Sequence, residues 1–166
     1  MRDSLLPDEL TNLARRVITE NAAIGRRVAL AESCTGGLVA AALTEIAGSS
    51  AVVDRGFVTY SNESKQQLLG VSPDIIDTFG AVSIACAWAM AHGALKHSQA
   101  EVAVSISGIA GPDGGSQDKP VGTVVFARAI RGEEDSTAEE KRFPPDGGRA
   151  EIRLQAALVA LELLLP

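Results

Sequence analysis

The segment Val28-Ala29-Leu30-Ala31 runs directly into Glu32-Ser33-Cys34-Thr35-Gly36-Gly37, and a helical apolar pattern opens at once with Leu38 and continues to Ile46. A short apolar run, a tight polar turn and a helix in immediate succession read as strand, turn and helix, the arrangement that aims backbone N–H groups at a ligand. Any fold for this chain must place that turn at the end of a buried strand.

Patterns elsewhere supply the other elements. Leu6, Leu10, Leu13 and Val17 recur at steps of four, three and four, and with Pro7 where a first helical turn tolerates it they predict a helix from about Pro7 to Ala23. Val52, Val53, Phe57, Val58 and Tyr60 form a β-rich segment with Gly56 as its bulge or bend. Helices are expected over Asn62 to Leu69, Pro73 to Phe79 and Val82 to about Lys96, the last packing a stripe of Ala81, Ala85, Trp88, Ala89 and His92 around one large ring. Glu101 to Ile106 alternates into a strand that meets a shaped loop, Ser107 to Gly115, rich in glycine and broken by Pro112. Val121 to Ile130 and Ser136 to Phe143 pair across the acidic turn Gly132 to Asp135, and an apolar helix from about Arg149 to Leu164 follows. Helices interspersed with strands, plus one hairpin, predict an α/β class fold, a three-layer α/β/α sandwich around a mixed β-sheet, in one domain over residues 1–166.

Composition narrows the partners. Fifteen basic and 21 acidic side chains give a formal charge of −6, which disfavours a broad nucleic-acid surface while leaving room for a local anion pocket. Cys34 and Cys86 are too few for a disulfide framework and fit a reducing cytoplasm. Met1 to Glu9 lacks the pattern of a secretion signal, and the apolar stretches Ala81 to Leu95 and Leu154 to Leu165 are too short or interrupted for a membrane span. A soluble cytoplasmic protein is expected, and the apolar last helix offers either core or a homodimer surface.

Ser33 is the sharpest candidate nucleophile, with an ordinary helix cap as the competing role. It sits in neither a Gly-x-Ser-x-Gly elbow nor a nucleotide P-loop. Cys34 is intrinsically more nucleophilic, and a helix amino terminus would lower its pKa, but no Cys-His pair is suggested. His92 and His97 fall about 140° apart on a helix, poor geometry for a joint metal site. Lys65 reads either as an exposed surface lysine or as a base kept neutral by desolvation or a nearby positive group; the second role fills the place of the missing histidine. Arg149 suits phosphate or the supply of such a field, and Ser107 with Gly108 to Gly115 adds hydroxyl and backbone donors.

Four segments in this order resemble the CinA carboxy-terminal domain family, also called the PncC nicotinamide-nucleotide amidase family: Ala31 to Gly37, Gly56 to Asn62, Gly80 to Ser83 and Ser105 to Gly115. The resemblance spans nearly the whole chain and has the form of a stand-alone member, without the separate amino-terminal domain of full-length relatives. It implies hydrolysis of the carboxamide of nicotinamide mononucleotide to nicotinate mononucleotide and ammonia, without metal or redox cofactor. It puts Ser33 at the nucleophile position, Lys65 at the general base, and Tyr60 beside them to relay or orient the proton. Thr35, Gly36, Gly37, Ser107, Gly108, Gly111 and Arg149 are expected to bind substrate. Ser107 stands where the family has threonine, and the segment Phe143 to Arg149 is two residues longer than the family's, so Arg153 is the reserve for Arg149. The same residues in an inactive fold would give a pyridine-nucleotide-binding regulatory protein, and ammonia release separates the two.

Overall fold

Five strands form one sheet in the computed structural model, which describes the chain from Met1 to Pro166. They are β1 (Val28–Glu32), β2 (Val53–Val58), β3 (Val102–Gly108), β4 (Thr123–Ile130) and β5 (Thr137–Arg142), in the order β2-β1-β3-β4-β5. β1 runs parallel to both β2 and β3, whereas β4 is antiparallel to β3 and to β5. The sheet is therefore mixed, as the sequence predicts. Its strand order reverses direction between β1 and β3, and open α/β sheets carry their ligand sites at the carboxyl ends of strands flanking such a point.

Strand alternation divides the core into two layers. Val28 and Leu30 of β1, with Val104, Val124 and Phe126, face α1 (Asp8–Ala23), α2 (Leu38–Thr44) and α6 (Gly148–Leu163). Ala29 and Ala31, with Ala103, Val125 and Ala127, face α3 (Asn62–Leu69), α4 (Pro73–Phe79) and α5 (Ile84–Lys96). The second face is almost all alanine and valine, so α5 lays its own Ala87, Ala91 and Ala94 flat against it. The result is a three-layer α/β/α sandwich.

Several details differ from expectation. α5 starts at Ile84, not Val82, because the Ser83 hydroxyl takes the N-cap, accepting the Cys86 N–H at 3.1 Å and donating to the Gly80 carbonyl at 2.7 Å. Its buried side is Cys86, Ala87, Met90, Ala91 and Ala94, while Trp88 is 46% exposed and rests on the His92 ring, centroids 3.9 Å apart. Because α5 is apolar nearly all round, its period alone does not select the inward face. The irregularity in β2 falls at Asp54, not Gly56: Val28 pairs with Val53 and Ala29 with Arg55. The extra residue turns Asp54 to accept the Gln99 N–H and to pair with Arg27 and Arg55. β3 runs two residues beyond Ile106 because its pairing with β4 continues to Gly108 opposite Val124. On α6, Ile152, Ala156, Ala157, Ala160 and Leu161 are buried against the sheet and its neighbouring helices, so that face of the helix is core. No helix is long and apolar enough to cross a membrane.

Candidate active site

Three parallel strands end side by side, with Glu32 of β1 opposite Val58 of β2 and Ile106 of β3. The next residues of each strand meet at one place. Ser33 follows β1 and is pinned by its N–H to the Ile106 carbonyl at 2.9 Å. Thr59 and Tyr60 follow β2, and Thr59 is tied by its N–H to the Glu32 carbonyl at 2.8 Å. Ser61 then caps α3 by accepting the Ser64 N–H, which starts the helix in time to carry Lys65 back over Ser33.

The Lys65 side chain is only 1% exposed and has no carboxylate partner. Its Nζ donates to Ser33 Oγ at 3.0 Å, to the Thr59 carbonyl at 2.7 Å and to the Tyr60 carbonyl at 3.3 Å. Burial holds its pKa below the ordinary lysine value, and desolvation, not a neighbouring guanidinium, is the leading cause. Ser33 does not cap α2. That cap position belongs to Gly37, which has no side chain to offer.

Cys34, in contrast, is pushed up to about 11, mainly by burial and further by the negative charge of Glu32. The expectation that a helix terminus would activate this thiol is reversed: α2 is capped three residues further on, at Gly37, and desolvation outweighs the lowering by the Cys34 backbone N–H, Arg153 and Lys65. The histidines lie elsewhere: His92 hydrogen-bonds Ser136 at 2.6 Å and His97 the Gly93 carbonyl at 2.8 Å. No group of three or more His, Cys, Asp or Glu side chains is placed to hold a metal ion.

Ser33, Tyr60, Lys65, Ser107, Gly108, Gly111 and Arg149 line one cleft of about 310 Å³. Arg149 donates to the Gly111 carbonyl at 2.7 Å and to the Tyr60 hydroxyl at 3.1 Å, bridging the glycine-rich loop to the end of β2. The Tyr60 phenol thus meets Arg149, not Ser33 or Lys65, and only its backbone carbonyl touches the lysine. Ser107 Oγ donates to the Ala81 carbonyl at 2.9 Å. Gly111 has φ +79°, and a Cβ there would meet Val121 at 2.6 Å, so this loop wall needs glycine.

Three residues expected in the cleft are elsewhere. Thr35 is fully buried and donates to Glu32 Oε1 at 2.6 Å, Gly36 faces Arg153, and Gly37 faces Val58. The turn curls back under β1, so these residues build the support of Ser33 and leave the cleft to other walls. Arg153 belongs to the same support, donating to the Cys34 and Thr35 carbonyls at 3.0 and 3.1 Å. Of the two arginines, Arg149 is the one that lines the cleft. Asn62 and Asp113 line it as well, and neither is singled out by the sequence pattern. The signal for Asn62 is its place in the first turn of the helix that carries Lys65.

The CinA C-terminal domain model matches residues 10–166. The nicotinamide-nucleotide amidohydrolase PncC of Escherichia coli (strain K12) is 52% identical over 156 residues, covering 94% of this chain and 93% of that protein. A CinA-like protein of Syntrophotalea carbinolica is 47% identical, with the match occupying 95% of this chain and 36% of that longer protein. The crystal structure of the competence/damage inducible protein CihA from Agrobacterium tumefaciens superposes with a TM-score of 0.93 at 55% identity, covering 97% of this chain and 96% of that one. Shared sequence over almost the full length, on a shared fold, makes this chain a member of the CinA C-terminal domain family.

Proposed function

We propose that this chain is a nicotinamide-nucleotide amidohydrolase that converts nicotinamide mononucleotide and water to nicotinate mononucleotide and ammonia, with Ser33 as nucleophile and Lys65 as base. The reading takes the whole chain as one cytoplasmic domain. The observation that carries it is the buried Lys65 amine 3.0 Å from Ser33 Oγ, with no carboxylate to keep it charged. Likeness to the Escherichia coli amidohydrolase supports the substrate.

A neutral lysine amine has two protons and one lone pair. In this neutral form the Thr59 and Tyr60 carbonyls keep their two N–H donors, and the third contact reverses, so that the Ser33 hydroxyl donates to the lone pair on Nζ. Ser33 Oγ attacks the carboxamide carbon while its proton passes to Lys65 Nζ. Backbone N–H groups of the turn around Ser33 stabilise the oxyanion. Lys65 then returns the proton to the departing nitrogen, ammonia leaves, and an ester on Ser33 remains. Water attacks that ester as Lys65 accepts one of its protons, the bond from the acyl carbon to Ser33 Oγ breaks, Lys65 passes the proton to Oγ, and nicotinate mononucleotide leaves. Arg149 spends two N–H donors on Gly111 and Tyr60 and has others for a phosphate, and together with the glycine-rich loop of the same cleft it is assigned to hold the phosphate and ribose of the nucleotide.

The test is to incubate the folded protein with nicotinamide mononucleotide and measure ammonia and nicotinate mononucleotide together with binding. Equal amounts of both products, retained in the presence of chelator, are expected. Binding without either product gives the protein to the regulatory, non-hydrolytic alternative.

A further inference from the structure

The structure assigns Glu32 as a positioning residue that locks the Ser33 turn in its reactive geometry, a role neither the nucleophile nor the base performs. Glu32 is the last residue of β1 and is 1% exposed, yet no lysine or arginine pairs with it. A bare buried carboxylate is costly, so its compensation must come from hydrogen bonds. Oε1 accepts the Thr35 hydroxyl at 2.6 Å and the Val39 N–H at 3.0 Å, and Oε2 accepts the Ala40 N–H at 3.0 Å. Both N–H groups belong to the first turn of α2, whose cap residue Gly37 provides no side-chain acceptor.

One carboxylate therefore joins the strand before Ser33 to the hydroxyl two residues after it and to the helix beyond. The Cys34 and Thr35 carbonyls are held from the other side by Arg153. Between these two clamps the turn is fixed at both of its faces, and Ser33 Oγ stays within reach of Lys65. The Glu32 charge has a second consequence at the same turn, since it opposes ionisation of the neighbouring Cys34 thiol. Thr35, in this account, acts through Glu32 and not through substrate.

This inference deepens the amidase reading and rests on it for turnover, but the state of Ser33 is measurable without that substrate. Glu32→Gln keeps the shape and puts an amide donor against a helix N–H, while Thr35→Val removes only the hydroxyl. Each is assayed for kcat and KM with nicotinamide mononucleotide and for the rate at which a fluorophosphonate probe labels Ser33. Misplacing a reacting group by about 1 Å costs on the order of 100-fold. Glu32→Gln is expected to lower kcat and the labelling rate together by about 10- to 100-fold, with KM and the pH at half-maximal rate nearly unchanged. Variants that unfold more readily but keep wild-type kcat and labelling would make Glu32 a structural cap only and overturn the assignment. A shifted pH profile would also overturn it, by making Glu32 an electrostatic partner of Lys65. Labelling at Ser33 in a wild type that releases no ammonia would sink the amidase reading and leave the labelling comparison to decide the role of Glu32.

Discussion

Lys65 Nζ and Ser33 Oγ lie 3.0 Å apart across 32 residues of sequence, and the lysine reaches the serine from the first half of a helix capped by Ser61. Burial without a counter-ion, which lowers the lysine pKa, is what suits it to receive a proton.

The pH dependence of turnover follows from that direction. Only neutral Lys65 accepts the serine proton, so the rate should rise as pH climbs through a pKa below the ordinary lysine range. Lys65→Arg, whose guanidinium stays protonated, should lose about 10²- to 10⁴-fold in kcat and show no such acid limb. An unaltered limb in Lys65→Arg would assign it to another group.

Cys34 is expected to be a poor thiolate. With its pKa raised to about 11, native protein should react slowly with iodoacetamide at pH 8 and faster only as pH approaches that value. The sign for stability is the same: a raised folded-state pKa gives a contribution that is full below about 9 and is lost as pH rises toward about 11. The difference in unfolding free energy between wild type and Cys34→Ala should shrink over that window. Rapid alkylation at pH 8 would contradict the burial account.

Arg149 and Arg153 should separate by kinetic parameter. Arg149→Ala, which removes the cleft guanidinium, should weaken binding of the mononucleotide far more than of the phosphate-free riboside. Arg153→Ala, which frees two turn carbonyls, should lower kcat with less change in KM. Tyr60→Phe loses only the bond to Arg149 and should resemble a mild Arg149 variant. A loss of kcat in Tyr60→Phe comparable to that of Lys65→Arg would instead give the phenol the part of a proton relay. Calorimetric titration and steady-state assays decide each case.

Gly93 links packing to the site. A Cβ there would lie 2.1 Å from the Leu69 carbonyl at the end of the helix that carries Lys65. Gly93→Ala should cost about 1–3 kcal/mol by forcing the two helices apart, and turnover should fall as Lys65 moves from Ser33. Denaturant unfolding measures the first effect, and a change under about 0.5 kcal/mol would show that the helices yield without strain.

Much of this molecule is legible in the sequence where the signal is local. The Ser33 turn and the Gly108–Gly115 loop are punctuated by their own glycines, and the order of strands and helices follows from short patterns. Burial of Lys65 is not local, since it depends on α3 folding back over the end of β2. Glu32 reads as the first residue of the polar turn and not as the buried end of β1, because the helix N–H groups it accepts lie seven and eight residues ahead. Arg149 and Arg153 are four apart on one helix, and only the tertiary fold shows that one lines the cleft while the other grips the turn. Trp88 looks like core by period and is a surface ring because α5 is apolar on more than one face.

Ammonia release from nicotinamide mononucleotide by Ser33→Ala and Cys34→Ala, each shown to be folded and to bind the nucleotide, tests the dyad most directly. The account predicts a fall of at least about 10³-fold for Ser33→Ala, as for other activated nucleophiles, and most of the wild-type rate for Cys34→Ala. Full activity in folded Ser33→Ala, with inactivity in Cys34→Ala, would contradict it and move the covalent chemistry to the thiol.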